Sequence, residues 1–259
     1  MDSVLNLNLW QMASAYIFVL VLLAIVKIKG ISREKEIIIS TIRMTLQLIL
    51  TGYILSYIFQ NSNAFYTIFF MILMELFAIY NTFKRVKVEL SKQMKFTIGI
   101  SMISGTLITI LYFIFVVLRL VPWFEPRYFI PIGGMIIGNS MTGISLGVTK
   151  LVDGMTNKRD LVEMALMLGA TPKAASKSIV DSAFDSSILP TINSMVGMGI
   201  VFLPGMMTGQ ILSGVSPFTA IEYQIAIMLG ILGSVALTVI MFVQLGYKTF
   251  FNEEDQLNI

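Results

Sequence analysis

Glu75 and Arg43 are charged residues inside stretches that otherwise read as membrane spans. A charge in the hydrocarbon layer is costly and marks a functional candidate. Arg43 stands about 9 Å inside its span and Glu75 about 12 Å inside the next, at 1.5 Å per helical residue. Two readings stand for them. In the first they form an ion pair, or Arg43 snorkels to the cytoplasmic surface; in the second Glu75, with Met71, Met74 and Asn81, contacts a cation. The chain has no cysteine. It also has no histidine, so thiolate and imidazole metal sites, disulfides and His-based catalysis are all excluded. A metal would have to meet carboxylates, amides, carbonyls, hydroxyls or the thioethers of the 18 methionines. Asn139, Asn193, Met195, Met198, Met206, Met207 and Gln210 are further candidates for a substrate route. Met195 to Gln210 lie in a segment interrupted by Gly197, Gly199, Pro204 and Gly205. Transporters place sites at such breaks, and thioethers suit soft or borderline metals better than Mg or Ca. The same methionines also suit apolar packing.

Hydrophobic residues make up 56% of the chain and charged residues 13%, which is the balance of a membrane protein rather than a soluble one. The expected fold is an all-α integral membrane protein of about seven transmembrane helices, in one domain over residues 1–259. The spans are expected at about 9–26, 37–59, 64–82, 96–118, 129–149, 189–213 and 222–246. No cleavable signal peptide is expected, since Asp2 stands where a basic segment should precede the first apolar run. All the lysines and arginines except Arg43, Arg119 and Arg127 fall in the first loop, the third loop, the loop before residue 189, or the tail. This bias places those regions in the cytoplasm, the N-terminus outside and the C-terminus inside. Gly134-xxx-Gly138, Gly143-xxx-Gly147 and Gly205-xxx-Gly209 allow close helix approach.

Between spans five and six lies the longest polar interval, residues 157–188. Asp160 and Glu163 have capping-box spacing. Gly169 suits a left-handed helix end, Thr171 an N-cap and Pro172 the first turn of a second helix. Pro190 is expected to turn the chain into span six. The interval therefore reads as a helical hairpin on the cytoplasmic side.

Glu163-x-Ala165-x-x-x-Gly169-Ala170-Thr171-Pro172 resembles the EAA loop of ABC-transporter permeases. Gly134–Gly147 (GMIIGNSMTGISLG) and Leu189–Gly214 (LPTINSMVGMGIVFLPGMMTGQILSG) are similar to FetB-like permeases, a family linked to iron export. Ile188-Leu189-Pro190 comes later after Gly169 than the usual ending of that loop, so a longer second helix is expected. The resemblance implies a coupling hairpin, with Glu163, Ala165, Gly169, Ala170, Thr171 and Pro172 docking on a cytosolic ABC ATP-binding subunit. It further implies a permease homodimer with two such subunits and a metal ion as cargo. ATP and Mg would bind to the partner, and no cofactor to this chain. The cellular place is the inner or plasma membrane, in contact with lipid.

Other classes fare worse. Gly143-x-Ser145-x-Gly147 fits a nucleophile elbow, but there is no His to serve it and the segment is an apolar helix. No P-loop is present, and no basic stripe with interleaved aromatics points to nucleic acid. The chain thus reads as a transporter subunit, not an enzyme. The alternatives are a permease for another cation or an organic solute, or an ATP-independent carrier or channel.

Overall fold

The computed structural model describes residues 7–86 and 90–258; Asp2 and Lys87 lie outside them. The described residues are helical, and their only β features are two isolated bridges. They form two compact units, Met1–Ser62 with Leu212–Gly214, and Asn63–Ile211 with Val215–Ile259.

The first unit holds α1 (Leu9–Ala15), α2 (Ile17–Ile28) and α3 (Glu34–Gln60). The first span is thus interrupted at Tyr16, whose hydroxyl lies 2.6 Å from Thr45 Oγ1 on α3. The second unit holds α4 (Ala64–Arg85), α5 (Lys92–Tyr112) with a π-turn over Phe113–Val117, and α6 (Pro126–Asn157). Next come α7 (Arg159–Met167), α8 (Pro172–Gly197), α9 (Gly205–Leu212) and α10 (Pro217–Gly246), which ends in a 3₁₀ turn over Tyr247–Phe250. Asn63 caps α4, its side chain accepting from Phe65 N at 2.9 Å. Ser91 caps α5 through Met94 N at 3.1 Å.

Among the described residues, six helical stretches are long and apolar enough to cross a membrane: Leu9–Ile28, Glu34–Gln60, Ala64–Arg85, Lys92–Val117, Pro126–Asn157 and Pro217–Phe250. The segment expected as span six is not one helix. It is the last part of α8, a break over residues 198–204, and α9. Pro190 does not turn the chain; it lies inside α8. Proline removes one backbone bond and crowds the preceding turn, and helices in membranes tolerate this where neighbouring groups re-satisfy the carbonyls. The carbonyl freed by Pro190 is that of Ser186; the hydroxyl bonds beside it run from Ser194 Oγ to the Pro190 carbonyl at 3.0 Å and from Ser187 Oγ to that of Ala183 at 2.6 Å.

Helices α6 and α10 form the centre. Helix α6 packs on α4, α5 and α8, and α10 packs on α5, α6 and α8. Lipid is as apolar as the side chains, so contact rests on close approach and polar contacts rather than on water exclusion. Small residues provide the approach. A Cβ on Gly143 would lie 2.7 Å from Val235 Cγ1, and one on Gly147 2.8 Å from Ser187 Oγ. Gly134 faces the tip of Met74, whereas a Cβ on Gly138, Gly205 or Gly209 would meet nothing within 4 Å. The Gly143/Gly147 pair is therefore a packing device, and the Gly205/Gly209 pair is not one within this chain. Ser140 and Ser234 join α6 to α10 through hydroxyls 2.8 Å apart.

Helix α5 comes close to α10 at Gly105. A Cβ there would lie 2.8 Å from Thr238 Cα, a backbone atom that cannot swing aside. Gly105→Ala should destabilise the bundle by about 1–3 kcal/mol through overpacking. Gly138→Ala, in open space, should leave stability unchanged or slightly raised. Thermal unfolding of the two variants in detergent checks the contrast.

Candidate functional site

The polar interval folds as an elbow. Helix α7 begins at Arg159, with Lys158 at its N-cap and no side-chain cap. The expected Asp160–Glu163 capping box is absent, because Arg159 competes for the same carboxylate. Its Nε donates to Glu163 Oε1 at 2.7 Å, and this bond holds the guanidinium above its ordinary pKa.

The other end of α7 follows its local chemistry. Gly169 has φ +90°, a conformation that side-chain-bearing residues rarely adopt. Its N–H bonds the Leu166 carbonyl at 2.9 Å, and the Ala170 N–H bonds that of Ala165 at 3.0 Å. This is a Schellman ending. Thr171 Oγ1 then accepts from Ala174 N at 3.3 Å, and Pro172 opens α8.

Glu163, Gly169, Ala170, Thr171 and Pro172 line one cavity of about 700 Å³, shared with Glu254, Asp255, Gln256 and Leu257 of the tail. The sequence reading missed this role for the tail. Its signal was a tight polar loop: Asn252 Oδ1 accepts from both Glu254 N and Gln256 N, and Phe251 bridges Leu257. Met167 and Leu168 are 85% and 84% exposed at the tip. An open groove with apolar knobs and an acidic rim can dock a protein.

Helix α8 links this elbow to the glycine-rich break. Its 26 residues span about 39 Å at 1.5 Å each. The break is compact. Gly199 has φ +84° and donates to the Phe202 carbonyl at 2.9 Å, while Val201 N donates to the Gly197 carbonyl at 2.9 Å. Met198 N and Phe202 N also find carbonyls, at 3.4 Å. The break therefore satisfies these N–H groups from within, as a hydrocarbon setting requires.

The route candidates fall in separate places. Met195 and Met198 line one pocket with Ile225, Met228 and Leu229 of α10. Met206 is half-buried and Met207 is buried on α9, which also carries Gln210. Asn193 is exposed on α8. Asn139 is exposed on α6 and donates to its own helix at Met135 O, 2.7 Å away. Asn81 likewise turns back to Phe77 O at 2.8 Å.

Glu75 belongs to the α4–α5 contact. Its Oε2 accepts from Thr106 Oγ1 at 3.2 Å, and its Oε1 is buried with no hydrogen-bond partner among the described residues. Met71 and Met74, on the same helix, reach Gly133 and Gly134 of α6. Arg43 lies in the other unit. No group of three or more His, Cys, Asp or Glu able to hold a metal occurs among the described residues. The sequence reading also missed Gln224 of α10, which is 6% exposed and donates through Nε2 to Met198 Sδ at 3.8 Å.

Residues 9–251 match the uncharacterised protein family UPF0014. The chain belongs to that family. It is 35% identical to the UPF0014 membrane protein YjkA of Bacillus subtilis, over 93% of this chain and 94% of that protein. It is 36% identical to the protein ALUMINUM SENSITIVE 3 of Arabidopsis thaliana, over 95% and 88%. It is 32% identical to the probable iron export permease protein FetB of Escherichia coli, over 97% and 95%. No solved structure matches. With its run of apolar helices, this member of UPF0014 is a multi-pass membrane protein.

Gly169→Ala adds no clash, since nothing lies within 4 Å of the added Cβ. It should still cost about 1–2 kcal/mol of local stability through the left-handed backbone. The expected result is faster amide exchange confined to residues 165–175, with the melting temperature of the bundle unchanged.

Proposed function

We propose that this chain is the membrane-spanning permease subunit of an ABC transporter, moving iron or a related metal cation out of the cytoplasm. The observation that carries this reading is the elbow: two short-linked helices with a glycine-capped tip, exposed apolar residues and an open groove. A separate cytosolic subunit hydrolyses ATP with Mg. Its closure moves the groove lined by Glu163, Gly169, Ala170, Thr171 and Pro172, with Ala165 holding the tip's backbone. Helix α8 carries that motion to the break after Gly197. Two permease copies and two ATP-binding subunits make the working assembly, since each chain supplies one elbow. The Lys/Arg bias supports placing the elbow and C-terminus in the cytoplasm and the N-terminus outside. Iron is the cargo in the name of the Escherichia coli relative, and that name supports the choice of cation here.

In this reading Glu75 contacts the cation, using the oxygen that has no partner among the described residues. The methionines at the break with Asn193 and Gln210, and Asn139 on α6, lie along the route.

The test is to co-express the chain with candidate ABC ATPases and measure metal-stimulated ATP hydrolysis in liposomes. The expected result is a stable complex whose stimulation is lost in Gly169→Trp, which fills the groove at its tip. Hydrolysis indifferent to that change, or transport that persists with no ATPase, would count against the coupling role. A second expectation concerns Glu75→Gln, which keeps the shape and removes the charge. Iron(II) efflux from loaded vesicles should fall about tenfold or more, with the melting temperature retained, as expected of a functional intramembrane carboxylate. Unchanged efflux would assign Glu75 to packing.

A further inference from the structure

The pocket between the end of α8 and α10 has a composition that packing alone does not explain. Met195, Met198 and Met228 contribute three thioethers to an open groove of about 230 Å³, whose lining is completed by the exposed Ile225 and Leu229. No charged side chain lines it. Behind Met198 stands Gln224. Its amide N–H meets Met198 Sδ, and its Oε1 is buried with no hydrogen-bond partner among the described residues. A leucine would fill that volume without burying an unanswered carbonyl oxygen, which carries a desolvation cost. This oxygen belongs to the amide that meets the Met198 sulfur, one of the three in the pocket, and a bound cation would answer it.

We propose that Met195, Met198 and Met228, with the Gln224 amide oxygen, form a binding site for a soft monovalent cation of the copper(I) type. Thioethers are soft donors and select copper(I) over harder divalent ions. The donor set is neutral, so the ion's whole charge stays in a low-dielectric setting. That cost rises steeply with charge and favours a monovalent ion over iron(II).

Position adds a second argument. Met195 is 23 residues along α8 from Pro172, or about 35 Å at 1.5 Å per residue. Most of the length of α8 therefore separates the site from the elbow. Met198 is also the first residue past the helix, where the chain enters the glycine-containing turn. A movement of α8 relative to α10 changes the spacing of Met195 and Met198 from Met228. Such a site binds in one arrangement and releases in the other.

The site goes beyond the iron reading above, since it assigns the permease a site for a second class of cation, and it rests on the transport reading only for its role in movement. Binding itself is measured on the purified permease alone, without ATP or ATPase. A failure here therefore leaves the elbow's function standing, and a failure of ATPase coupling leaves the site standing.

The experiment titrates copper(I), under anaerobic reducing conditions, into the detergent-purified chain against a chromogenic copper(I) chelator. The parent should take up one ion per chain with an affinity at least about tenfold above that for iron(II). The triple change Met195→Leu, Met198→Leu and Met228→Leu keeps apolar volume and removes the sulfurs. It should weaken binding by about tenfold or more, and Gln224→Leu should weaken it measurably. A control triple at the exposed Met12, Met44 and Met164, each changed to Leu, should bind as the parent does. If the first triple does not give a monodisperse protein, Met198→Leu alone is read in its place, with the same direction expected. Equal copper(I) affinity in the parent and the site variant, equal loss in the control triple, or tighter binding of iron(II) than of copper(I) would overturn the assignment.

Discussion

Hydrocarbon offers the backbone no water, so every departure from helix inside a membrane must answer its own polar groups. This constraint accounts for the shape of α8 and of the turn at its end. The helix starts outside the apolar region with Thr171 and Pro172 meeting its first turn, and it runs past Pro190 without leaving helical geometry. It ends only at Gly197, where a tight turn returns the N–H groups of Met198, Gly199, Val201 and Phe202 to nearby carbonyls. A break with these four N–H groups bonded is a defined structure rather than a loose end. The elbow and the break are thus the two ends of one rod.

The centre of the bundle suits this arrangement. Gly143, Gly147 and Gly154 lay the face of α6 against Val235, Ser187 and Ile179, so α6 meets both α10 and α8 at close range. Such contacts slide poorly but re-seat in steps, because packed surfaces are not continuously deformable. In the proposed coupling, a push on the elbow passes to the α8–α10 pocket through these contacts.

Much of this was legible in the chain. Gly169, Thr171 and Pro172 signalled the elbow because each answers a local backbone need that does not depend on distant contacts. Gly197, Gly199 and Pro204 signalled the break for the same reason. What failed was competition between equally local options. Asp160 and Glu163 had capping spacing, but Arg159 joined the helix and its guanidinium took the carboxylate. Pro190 read as a turn, yet α8 runs through it, as helices in membranes tolerate an internal proline. Gln224 was invisible for another reason. One amide near the start of an apolar span looks like an interfacial residue until tertiary packing buries it against Met198. The tail's place beside the elbow is also tertiary, and no periodicity announces it.

The continuity of α8 is the claim on which coupling depends, and the absence of cysteine makes it directly measurable. Lys173→Cys and Val196→Cys, both at exposed positions, place two spin labels on the helix with no background thiols. Double electron–electron resonance in lipid nanodiscs should give one narrow distance near 35 Å, from about 23 residues at 1.5 Å each. That distance should hold both for the permease alone and with an ATP-loaded partner bound. A shorter or bimodal distance in either state, as from a hinge at Pro190, would contradict a rigid link between the elbow and the break.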